Sequence, residues 1–238
     1  MFSNLVLRNP FIISCMRSVR NKIIPQLFII YTRYLIGGAF VFAAIVKIKG
    51  QRFTTYDGTD TPLNSPFHLF ETLYQSGLYW KFLGVGQVVA GFLLMTQRYA
   101  KLGALMFLPI IANVFVITIS YDFKGTPLIT GLMLLANILL VLWDRDELKI
   151  LFNLTPVIEN KNTWMHDKVW EITGLVLFLF DAGYRFFTTG YNIFLWGGIC
   201  VLIGLAGLVI GLRRRKIYSV TVNRQQKQNP SDVRLIQE

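Results

Sequence analysis

The stretch LFIIYTRYLIGGAFVFAAIV, residues 27–46, decides how the rest of the chain is read. Its 20 residues carry one charged side chain, Arg33. About 20 apolar residues in a helix cross a hydrocarbon layer of about 30 Å, so the stretch points to an integral membrane protein. A guanidinium inside such a segment is costly unless it snorkels to the headgroups or finds a partner in the bundle. Both readings fit Arg33, which lies about 9 Å along the helix from the nearer boundary at 1.5 Å per residue.

Working outward, five more apolar runs follow at 80–96, 102–120, 127–143, 169–187 and 193–212. Each suits a tilted spanning helix. The run 169–187 is the least apolar, because Glu171 and Asp181 leave only 172–180 uncharged. The expected fold is all-α: a polytopic membrane helical bundle with a four-helix core and a C-terminal two-helix hairpin, six spans in all. With six spans, 17 of the 24 Lys and Arg residues fall on the side of the amino terminus, and Lys47, Lys49, Arg52, Lys81, Lys124 and Arg185 on the other. The positive-inside bias then makes both termini cytoplasmic. The expected location is the bacterial plasma membrane.

The divisions expected are a basic interfacial segment at 1–26, the four-helix bundle at 27–152, a cytoplasmic loop at 153–168, the hairpin at 169–212 and a basic tail at 213–238. Residues 1–26 place Arg8, Arg17, Arg20 and Lys22 around a short apolar run, without a small-residue cleavage pattern behind it. An uncleaved interfacial segment and a true start at Met16 both fit. The first outer loop contains a short helix signature: Ser65 as cap, Pro66 at the first position, Phe67, Phe70, Leu73 and Tyr74 on one side, and Gly77 as stop.

Composition limits the chemistry. Hydrophobic residues make up 53% of 238 and charged residues 16%, with a mean hydropathy of +0.48, too little polar surface for a water-soluble globule. The net charge of +11 sits beside apolar spans rather than in a nucleic-acid motif, so nucleic acid is not the expected partner; lipid is. Cys15 and Cys200 form no CxxC pair, which removes dithiol exchange and zinc ribbons. The only histidines, His68 and His166, fall in loops on opposite sides, so no pair holds a haem between helices. No nucleophile with a base and no phosphate-cradling glycine loop is visible. No metal and no catalytic residue is expected: Asp57, Asp60, His68, Glu71 and Asp122 match no ligand spacing and read as a solvated loop face.

Polar residues at membrane depth remain. Gln87, Asn113 and Asn137 occur one in each of the next three runs; turned inward, they line one polar core with Arg33. The alternative is that each amide only bonds a neighbouring helix. Asp181 and Arg185, four apart, are expected to pair with each other. Gly84, Gln87 and Gly91 share a packing face, and Gly197, Gly204 and Gly211 recur every seven residues. Gly207 and Gly211 form a GxxxG pair, so Gly204, Gly207 and Gly211 are candidates for association between protomers.

Arg33, Gly37, Phe40, Ala43, Ala44 and Lys47, with LGVGQVVAGFLLMTQRYAKLGAL at 83–105, resemble the DoxX family of small membrane proteins over roughly residues 31–152. The last two spans fall outside the resemblance. It implies a four-helix bundle distantly like the vitamin K epoxide reductase membrane proteins, and for some members a link to quinone-dependent sulfur oxidation or membrane oxidoreductase assemblies. The chain departs from the family at Gln87, where an acidic residue is common, so proton coupling by an intramembrane Arg and Glu pair is in doubt; an amide still accepts a hydrogen bond from Arg33. The expectation is a small accessory subunit of a quinone-linked or redox-associated assembly, not an autonomous catalyst. Arg33, Gln87, Asn113, Asn137 and Lys47 would contact a quinone head group or small anion. The alternatives are a non-catalytic scaffold or assembly factor, and a small-solute transporter, though no inverted repeat marks a midplane site.

Overall fold

Among the described residues every regular element is a helix. The computed structural model describes residues 20, 22–54, 56–154, 164–188, 190 and 192–228, with side chains through 215 except that of Phe152. Residues 1–19, with Cys15 and Met16, lie outside the described residues, as do 155–163 and 229–238. We label the helices α1 (Ile23–Ile48), α2 (Pro66–Gln75), α3 (Leu78–Met95), α4 (Ala100–Ser120), α5 (Thr126–Trp143), α6 (Arg145–Leu148), α7 (Lys168–Phe187) and α8 (Ile193–Gln228). Five are long and apolar enough to cross a membrane: α1, α3, α4, α5 and residues Ile193–Arg215 of α8. The chain is a helical membrane protein. α7 has the length, 20 residues, but carries Lys168, Glu171, Asp181 and Arg185.

Local chemistry sets the boundaries. The Ser65 hydroxyl accepts from the Phe67 N–H at 3.2 Å with Pro66 in the first turn, and Gly77 at φ +60° ends the segment, so the expected surface helix forms. Asp167 and Asn192 cap α7 and α8 by accepting from Val169 N–H (3.0 Å) and Phe194 N–H (3.0 Å). α8 does not stop at Leu212 but continues to Gln228. No Gly or Pro interrupts residues 213–228, and Pro230 comes only two residues later.

α1 lies at the centre. On one side it meets α3 backbone to backbone: a Cβ built on Gly91 would stand 2.8 Å from Gly37 O, and one on Gly84 would stand 3.0 Å from Ala44 O. The packing face read from Gly84, Gln87 and Gly91 is therefore real. On another side lies α7, so the C-terminal pair is no detached hairpin; it covers α1 and the end of α3. The closest approach is at Gly174, where an added Cβ would fall 1.7 Å from Met95 O and 2.8 Å from Tyr34 Cε1. α4 docks on α3 at Gly103, and α5 docks on α4.

The Gly204, Gly207 and Gly211 face is used inside the chain. Gly207 opposes Thr173 and Gly211 opposes the Trp170 ring, where added Cβ atoms would lie 2.5 Å and 2.7 Å away, and Tyr31 OH donates to Gly204 O at 2.7 Å. All three glycines are buried.

Gly174→Ala is expected to destabilise the protein by about 3 kcal/mol or more, because backbone rather than a pliable side chain stands in the way. Gly183→Ala, with nothing within 4 Å of its new Cβ, gains up to about 1 kcal/mol from helix propensity. Thermal unfolding of both variants in mild detergent checks the contrast.

Candidate functional site

Arg33 is buried, at 4% exposure, and does not snorkel. One guanidinium nitrogen donates to Asp144 Oδ2 at 2.8 Å and another to Gln97 Oε1 at 3.0 Å. Asp144 caps the end of α5, and Gln97 sits in the α3–α4 turn at φ +59°, a left-handed position. Gln97 is anchored in turn by donating to Ile30 O at 3.4 Å. Three segments thus converge on one cation. Charged pairs surround it: Arg20 with Asp146 (3.1 Å), Lys149 with Asp146 (2.9 Å), and Lys101 with Glu147. The arrangement ties α1 to the ends of α3 and α5, and among the fully buried side-chain atoms of the described residues in it only Arg33 Nε lacks a hydrogen bond.

The other candidates do not join Arg33. Gln87 is buried between Gly84 and Gly91 on the face of α3 that meets α1, and its Oε1 has no hydrogen bond among the described residues. The amide that Arg33 finds is Gln97, ten residues further on. Asn137, 0% exposed, donates to Ala104 O at 3.0 Å and so links α5 to α4, the interhelical-bond reading. Asn113 is exposed on the flank of α4 rather than turned inward. Its helix packs through Gly103, Ala104, Phe107 and Ile111; Asn113 stands about 200° round the axis from Ile111. Lys47 lies about 21 Å along α1 from Arg33. It donates to Ala43 O at 2.9 Å and rests over the Phe53 and Trp80 rings, 4.7 and 5.3 Å from their centroids. No single polar core contains the five.

At the α2 end the loop is fastened by Arg52, which contacts Glu71 at 2.7 and 2.8 Å and Asp57 at 3.1 Å. Phe67 and Phe70 of α2 pack against Phe123 of the α4–α5 turn, so the helix covers that end of the bundle. Among the described residues no three His, Cys, Asp or Glu side chains form a group able to hold a metal.

The feature that sequence reasoning missed is a cleft of about 310 Å³ between α1, α7 and α8. Its size falls at the low end for small-molecule sites, and its lining is mostly apolar. Leu35, Val201 and Leu205 at its rim are exposed, so it opens on the apolar outer flank of the helices. Asp181 lies within it at 2% exposure. Its Oδ1 accepts from Trp196 Nε1 at 2.8 Å and from Cys200 Sγ at 3.3 Å. Those partners come from α8, where the spacing alone offered Arg185; Arg185 lies over the Phe42 ring, 5.1 Å from its centroid. Asp181 Oδ2 rests against the bare backbone of Gly38, 2.7 Å from where a Cβ would stand. The available signal was a carboxylate inside an apolar run, which is a functional candidate by default.

No protein-family model matches the chain, and no solved structure matches it. Among curated proteins, the "Uncharacterized protein YwoB" of Bacillus subtilis is 29% identical over 144 residues, which covers 60% of this chain and 90% of that protein.

Two outcomes follow from the charged contacts. Arg33→Leu strands the Asp144 carboxylate and is expected to cost about 3–5 kcal/mol, most of it recovered in the Arg33→Leu/Asp144→Leu double variant; unfolding curves of the two measure the difference. Bonding to Arg52 holds the Glu71 carboxyl below its ordinary pKa of 4.5. A carboxylate depressed in the folded state stabilises above its unfolded pKa and loses that contribution as pH falls through the folded value. Protease cleavage within residues 51–76 should therefore stay constant from about pH 8 to 5 and rise below about pH 4.

Proposed function

We propose that this chain is a six-span, DoxX-like protein of the bacterial plasma membrane, both termini cytoplasmic, that serves as an accessory of a quinone-linked assembly. It holds a quinone-type ligand in the cleft between α1, α7 and α8, and α7 supplies the sixth span. The cleft is the observation that carries this reading: it is apolar, opens on the outer flank of the helices, and contains a carboxylate with no basic partner among the described residues. Keeping an ionisable group there costs free energy that packing alone does not repay. Arg33, by contrast, is engaged by Asp144 and Gln97, which favours a structural role for it and moves the ligand from the first four spans to the helices outside the DoxX resemblance.

A scaffold reading has one observation in its favour. Asn113 presents an amide to lipid with no hydrogen bond among the described residues, and a neighbouring membrane protein could satisfy it.

Native mass spectrometry of the protein in mild detergent tests both. The expected result is a bound prenylated quinone or quinol in the wild type, absent from Val201→Trp, which fills the rim of the cleft from an exposed position. Ligand retained in Val201→Trp, or none in the wild type, would overturn the proposal; a co-purifying protein lost from Asn113→Leu would favour the scaffold.

A further inference from the structure

The polar atoms around the cleft divide unevenly between donors and acceptors. Tyr31 OH donates to Gly204 O and Tyr34 OH to Trp170 O. Trp196 Nε1 and Cys200 Sγ both donate to Asp181 Oδ1. Every strong donor at the wall is thus already committed to the protein. What remains open is an acceptor: Asp181, a residue only 2% exposed, has an Oδ2 that makes no hydrogen bond among the described residues.

An occupant that offers only acceptors would set lone pairs against lone pairs and leave both sides desolvated without a bond. An occupant with an O–H would satisfy Oδ2 by a charge-assisted hydrogen bond, the stronger kind. We infer that the cleft is selective for a hydrogen-bond-donating head group on an apolar body, a hydroquinone rather than the corresponding quinone, with its hydroxyl on Asp181 Oδ2 and its ring among Leu35, Ala39 and Val201. The inference rests on the cleft being the ligand site proposed above. Selectivity of this origin works without a basic residue, and it gives the accessory subunit a preference for the reduced member of a redox couple that differs by two hydrogens.

Three features of the cleft agree with this. Gly38 has no side chain to screen Oδ2, since a Cβ there would lie 2.7 Å from it. The two α8 donors hold Oδ1, which fixes the carboxylate plane and leaves the second oxygen in a defined place. Exposed Leu35, Val201 and Leu205 provide an apolar entry from the lipid side.

The test is equilibrium binding at pH 8 of a short-tailed benzohydroquinone and its benzoquinone to the full-length protein in lipid nanodiscs, under anaerobic conditions, with decylammonium as a third probe. The hydroquinone should bind about ten- to a hundredfold tighter than the quinone, the range expected of one hydrogen bond to a charged group. Asp181→Asn, which can keep the Trp196 contact through Oδ1 while placing an N–H where Oδ2 stands, should reverse the order. Equal binding of the two, lost in Val201→Trp, would overturn the selectivity and leave the proposed function standing. Tighter binding of the quinone to the wild type, or of decylammonium than of the hydroquinone, would also overturn the hydroquinone assignment. Binding of neither benzo compound would overturn both the assignment and the function it rests on.

Discussion

Between helices in lipid, burying leucine against leucine brings little that the acyl chains do not already offer, so association depends on how closely backbones approach and on which polar groups they share. α1 occupies the centre of this protein because glycine removes the obstacle at each of its principal contacts. Gly37 and Gly91 let α3 in on one side, and Gly174 lets α7 pass the end of α3 beside Tyr34. With those contacts made, the remaining helices have determined places: α4 on α3, α5 on α4 and α8 on α7.

The second ingredient is the matching of side-chain donors to carbonyls that glycine leaves uncovered. Tyr31 reaches Gly204 O and Trp164 reaches Gly211 O, so an aromatic residue clasps α8 at two levels. Trp170 completes the series by donating to Trp164 O while its ring fills the space beside Gly211. Arg33 belongs to the same logic with a full charge: the carboxylate and amide that meet it come from the ends of two other helices, where the backbone has turned out of its regular path.

Much of this architecture could be read from residue order. Apolar runs of spanning length report their helices directly, and Ser65, Pro66 and Gly77 mark α2 because capping is a local matter. Pairings across the fold were less legible. Asp144 and Gln97 are 111 and 64 residues from Arg33, and Asp144 stands just beyond an apolar run, where a charge looks like a simple boundary. For Asn113 both readings, an inward polar core and a bond to a neighbouring helix, turn the amide away from lipid; its helix is apolar all round, so nothing in the pattern distinguishes a lipid face from a packed one. Asp181 had a partner of opposite charge one turn away, which concealed that two donors on the next helix would engage it. The α8 glycines advertise close approach, but a small-residue stripe does not say whether the approaching surface belongs to the same chain.

The length of α8 has a consequence for what lies beyond the bilayer. At 1.5 Å per residue its 36 residues extend about 54 Å, against a hydrocarbon thickness of about 30 Å. A helix that long exceeds the acyl region by roughly 20 Å, and the part beyond the apolar run begins with the cationic residues Arg213, Arg214, Arg215 and Lys216, a composition suited to lipid phosphates. A continuous helix with a charged collar is a strut rather than a tether: it carries residues 217–228 outward along the axis of the span instead of laying them along the membrane surface.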